Sequence, residues 1–126
     1  MSKLLRVTFL VHAIVCVLFG AALLLAPGRF LSAFGWAPID PILTRVLGAA
    51  FLGLAWGSFR GWRAREWSEV AILVELEAVF TVLACVGLLR HLLVGHWPIT
   101  VWGDLVVFGV FAVAWIYFLV RHRTKA

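Results

Sequence analysis

VTFLVHAIVCVLFGAALLLA, residues 7–26, decides how the rest of this chain is read. It runs for 20 residues without a charged side chain and stops at Pro27-Gly28. Coiled as a helix it spans about 30 Å, the thickness of a bilayer's hydrocarbon core. Lys3 and Arg6 precede it, as basic residues precede the apolar run of a secretory signal peptide. That run is only about 7–15 residues in a signal peptide, so the expectation is a retained transmembrane helix.

Working outward, the chain continues in the same style. Apolar residues make up 64% of its 126 positions and charged residues 13%, against about 45–50% and 25% in a soluble domain. A water-soluble globule this small lacks the volume to hide so much apolar surface. The formal charge of +5 could suit nucleic acid. The basic residues, however, gather at the ends of apolar segments with no stripe of interleaved aromatics, so nucleic acid is not an expected partner. Lipid is.

Four segments are long enough to cross a bilayer: about 4–26, 41–59, 68–93 and 98–120. Pro41 suits a first helical turn. Ser68 suits an N-cap, with Glu69 behind it at the positive end of the helix dipole. Gly95-His96-Trp97-Pro98 punctuates the last turn. Phe30, Leu31, Phe34 and Trp36 fall in the linker of residues 28–40 and are expected to lie along the membrane surface as a short interfacial helix. Short connections at residues 60–67 and 94–97 make consecutive helices antiparallel neighbours. The expected fold is all-α: one up-down-up-down four-helix transmembrane bundle, a single integral membrane domain over residues 1–126.

Orientation follows from the basic residues. With the N-terminus inside, the inner ends carry Lys3, Arg6, Arg60, Arg63, Arg65, Arg121, Arg123 and Lys125. The outer ends carry only Arg29, Arg45 and Arg90. Trp62 and Trp67 would then sit at the inner border, and Trp36 and Trp97 at the outer. A multi-pass protein with both termini cytoplasmic, in a bacterial cell membrane, is the expectation. No internal repeat relates the two helix pairs.

In lipid the informative side chains are polar ones at depth, since each is costly unless paired or hydrated. His12 falls about 12 Å in from the inner end of the first helix, and Glu75 and Glu77 about 10 and 14 Å into the third. His12 with Glu75 or Glu77 is therefore a candidate proton or ligand site. The two acids stand about 200° apart around a helix, so one alone can face the interior. The plainer alternative is a hydrogen-bonded packing histidine and a buried acid that fixes helix register.

Arg45 and Asp104 share a second, outer level and are expected to form an interhelical ion pair, with a substrate-facing role as the alternative. Ala49, Gly53, Gly57 and Gly61 repeat every four residues, a small-residue run that lets another helix approach within the chain or in an oligomer. On this reading a large residue at Gly53 is damaging. Cys16 and Cys85 lie inside apolar runs without metal or redox spacing and read as small hydrophobes. Only His12 is deep among the histidines, which argues against a bis-histidine haem, and His91 with His96 is too few for a metal site. No GxSxG, HExxH, Walker A or Rossmann pattern occurs.

Arg6 at the start of the first helix, Gly20 within it, the Pro27-Gly28-Arg29-Phe30 exit and a glycine-rich second helix carry a resemblance. With them the chain is similar in architecture to small bacterial four-helix integral membrane proteins, DoxX-like ones among them. That resemblance implies an accessory subunit of a membrane oxidoreductase system and transfers no catalytic residue. Three functions stay open. They are a non-enzymatic accessory or scaffold subunit with partner subunits or as a homo-oligomer, a small oligomeric proton- or cation-coupled transporter or channel, and a membrane subunit binding a lipid, quinone or chlorin.

Overall fold

The structure, a computed structural model, describes residues 1–36 and 40–123. Lys125, and the side chain of Arg123, which entered the count of inner charges, lie outside the described residues, as does the linker at residues 37–39. Five helices follow in order: α1 (Lys3–Leu25), α2 (Pro27–Ala33), α3 (Pro41–Arg63), α4 (Ala71–Leu92) and α5 (Ile99–Arg123). There is no strand among the described residues. The all-α class stands, and the four long helices are each long and apolar enough to cross a membrane. The chain is a multi-pass membrane protein by that measure. Two compact units divide it, Met1–Arg63 and Ala64–Ala126.

In the first unit α1 and α3 are antiparallel partners. Arg6 meets Trp62, His12 meets Ser58, Phe19 meets Phe51 and Gly20 meets Gly48, so each step up α1 matches a step down α3. Ser2 caps α1 by accepting from the Leu5 amide at 3.2 Å. Pro27, which has no amide hydrogen to continue the ladder, turns the chain into α2. The short helix expected between the first two spans is therefore present. It ends in a Schellman motif: Trp36 N–H donates to the Leu31 carbonyl and Gly35 N–H to the Ser32 carbonyl. Gly35 at φ 76° supplies the left-handed residue that motif needs. Phe30 of α2 packs edge-on against Phe19 at 5.7 Å, holding the short helix to the end of α1.

Asp40 starts α3, its carboxylate accepting from the Ile42 and Leu43 amides at 2.9 and 3.0 Å, with Pro41 in the first turn. The helix runs on to Arg63, which places Arg60 and Arg63 in its last turn, where cations suit the dipole.

The second unit is also a helical hairpin. Trp67 stacks on His122, Phe80 meets Phe108 and His91 meets Trp97 across the turn, so α4 and α5 are antiparallel. The start of α4 corrects the expectation at Ser68. The helix begins at Ala71, and its N-cap is Val70, with no side-chain cap. Glu69 instead turns back to accept from the Arg65 amide at 3.0 Å. Its carboxylate satisfies the loop rather than the helix end.

Candidate functional site

Hydrophobic periodicity alone places His12. The buried face of α1 is Leu5, Phe9, His12, Ala13, Cys16, Gly20 and Leu23, the three- and four-residue steps of one helical stripe. Opposite it α3 offers Thr44, Gly48, Ala55, Ser58 and Gly61. His12 is 4% exposed and Ser58 fully buried. His12 Nδ1 lies 2.8 Å from Ser58 Oγ, a hydrogen bond between the two helices. Cys16, one turn further along α1, brings its Sγ to 3.5 Å from Nε2. Two tautomers satisfy this geometry, because a hydroxyl can donate to or accept from Nδ1 and a thiol is a weak partner of either kind. Ser58 escaped the sequence reading. A serine five residues from the end of a helix rich in arginine looks like surface, and only the antiparallel register brings it to His12.

Below this cluster, toward the α2 end, the two backbones almost touch. A Cβ placed on Gly48 would lie 2.7 Å from the Leu24 amide nitrogen, and one placed on Gly20 3.0 Å from the Gly48 carbonyl oxygen. At the other end a Cβ on Gly61 would strike the Phe9 ring at 2.7 Å. These contacts divide the expected packing run. Gly61 does pack, but Ala49 and Gly53 are exposed, and a Cβ on Gly53 meets nothing within 4 Å. A four-residue step overshoots one helical turn by about 40°, so a run of four such positions winds about 120° around the helix, and α1 meets only part of it.

In the second unit the choice between the two acids is resolved by burial. Glu77 is fully buried on the face that also carries Val74, Ala78 and Thr81. Glu75 lies on the exposed side with Ile72 and Val79. Thr81 donates its hydroxyl to the Glu77 and Ala78 carbonyls at 2.7 and 3.2 Å, serving the helix backbone rather than the carboxyl group. His12 belongs to the first unit and Glu77 to the second. Arg45 is exposed on α3 and Asp104 half-buried on α5, again in different units. Cys16 is buried and Cys85 half-buried, and both are free thiols.

Among the described residues no group of three histidine, cysteine or carboxylate side chains could hold a metal ion. Comparison with protein-family models, curated proteins and solved structures finds no match.

Proposed function

We propose that the protein is a non-enzymatic accessory or scaffold subunit of a membrane complex. The observation that supports this reading most is the His12–Ser58 bond, which ties α1 to α3 at 2.8 Å deep in the span. A buried polar pair bridging two helices fixes their register. The exposed Ala49 and Gly53 then become the place where a foreign helix could lie close to α3, since small residues let transmembrane backbones approach. The resemblance to DoxX-like proteins points the same way. The test is extraction from native membranes in mild detergent. A discrete heteromeric particle that Gly53→Leu dissolves is the expected result; a homogeneous single-component species, unchanged by Gly53→Leu, overturns the reading.

Glu77 favours a second reading. A fully buried carboxyl group in a transmembrane helix is a functional candidate by default. On this reading the protein carries protons or cations, with Glu77 as the titrating group. Proteoliposomes loaded with a pH-sensitive dye would show flux in the native chain and none in Glu77→Gln. Equal traces from native protein, Gln variant and empty vesicles end the transport reading.

A further inference from the structure

Beside the buried α1–α3 seam runs an open groove of about 440 Å³, lined by Leu10, Ala13, Ile14, Val17 and Leu18 of α1 and Leu52, Ala55, Trp56 and Phe59 of α3. Every lining residue is apolar. The groove exists because its floor is small: Ala13 and Ala55 face one another across the antiparallel register, both nearly buried. Its walls stand clear, with Ile14 53%, Leu18 64% and Trp56 64% exposed. The volume falls in the usual range of small-molecule sites, roughly 300–1,000 Å³.

What distinguishes this groove from any lipid-facing crevice is its mouth. Trp56 stacks on Phe59 at 5.9 Å, and the Arg63 guanidinium lies over the same Phe59 ring at 5.9 Å. Arg60 follows Trp56 by one turn, and Arg6 precedes Leu10 by one turn, so both share the groove's faces. Arg6 is held by its Nε, which donates to the Trp62 carbonyl at 3.1 Å and leaves its terminal nitrogens to other partners. All three arginines are exposed. In residues 1–63 the sole carboxylate side chain is Asp40, at the far end of α3. Within the first unit the mouth is therefore cationic and the groove apolar; the nearest carboxylates in sequence, Glu66 and Glu69, bond within their own loop, to Ser68 and to the Arg65 amide.

We propose that this groove seats one acyl chain of an anionic phospholipid, whose phosphate is held by Arg60 and Arg63 with Arg6 beside them. The lipid belongs to the leaflet that meets the N-terminal end of α1. A guanidinium forks onto a phosphate in two hydrogen bonds, which a zwitterionic headgroup offers with a competing ammonium attached. The proposal does not depend on the accessory reading above; a lipid can sit here whether or not α3 meets a partner.

The experiment uses the full chain in vesicles of phosphatidylcholine doped with brominated-chain phosphatidylglycerol or, in parallel, brominated-chain phosphatidylcholine. Bromine quenches an indole it touches, and subtracting the Trp56→Phe variant isolates Trp56. Half-quenching of Trp56 is expected at a mole fraction of the anionic lipid lower by on the order of 25-fold, about fivefold for each of the two basic side chains that hold the phosphate. Arg60→Gln and Arg63→Gln each reduce that preference, and the double variant removes it. Ile14→Phe, on the exposed rim, narrows the groove and weakens quenching by both lipids without touching the helix seam. Equal quenching by the two lipids means ordinary bilayer solvation and overturns the proposal. So does quenching that vanishes as protein density rises, which would place a second copy in the groove. Retention of the preference in the double variant overturns the assignment of the phosphate to these arginines.

Discussion

The two helical hairpins have spans of nearly equal length, 23 and 23 residues in one and 22 and 25 in the other, yet they close by different means. The α1–α3 pair closes on glycine: Gly20, Gly48 and Gly61 each stand where a Cβ would collide. The α4–α5 pair carries Gly87, Gly103 and Gly109, and a Cβ on any of them meets nothing within 4 Å. There the rings of Phe80 and Phe108 meet at 6.1 Å instead. Water supplies no hydrophobic drive between helices in lipid, so packing and hydrogen bonds must hold them. Close backbones and interlocked large side chains are two solutions to one problem, and this chain uses both.

That contrast can be broken by substitution. Trp115→Ala should cost most, about 3–5 kcal/mol, because it empties a fully buried site of its largest side chain; unfolding in mixed detergent micelles reads it. A loss no greater than that of the more exposed Trp102→Ala would show that the burial of Trp115 does not stabilise the fold. Gly48→Leu should follow at about 3 kcal/mol, since the clash is with backbone that cannot rotate away. Gly103→Leu is its partner control in α5 and should be tolerated; the opposite ranking of these two would reverse the comparison. Ser58→Ala should cost about 1–3 kcal/mol by leaving a buried imidazole nitrogen without its cross-helix bond, and Ser58→Thr should restore part of it. The smallest effect belongs to Gly53→Leu, neutral or stabilising by no more than about 1 kcal/mol through helix propensity. A strong destabilisation of the isolated protein by Gly53→Leu would show that α3 uses its glycine run after all.

Much of this was legible beforehand. The four spans follow from apolar length, and their ends were misplaced by at most a few residues, as at Ser68, where a good capping residue lost to a carboxylate that found a nearer amide. The division of Glu75 from Glu77 needed only the angle between them, but the choice needed the stripe of Val74, Ala78 and Thr81. The helix seam was harder. Spacing of four suggested Gly53, whereas the seam of Thr44, Gly48, Ala55, Ser58 and Gly61 mixes threes and fours, following the true pitch. Gly48 sits one residue from Ala49, and that single step of about 100° separates a collision from open space. Ser58 was hidden for a related reason: its role exists only in the register of another helix 46 residues away.

The Arg6–Trp62 hydrogen bond links residues 56 apart in sequence, and it has a consequence for biosynthesis. A ribosome adding about 5–20 residues per second needs roughly 3–11 s to travel that distance. For that interval the first span waits for the carbonyl that accepts from Arg6, and for a somewhat shorter one for the hydroxyl that pairs with His12. It is the most apolar of the four spans, and α3, which arrives to a waiting partner, is the least. Within this hairpin the more apolar span is translated first, so the segment better able to stand alone in lipid is the one that enters first.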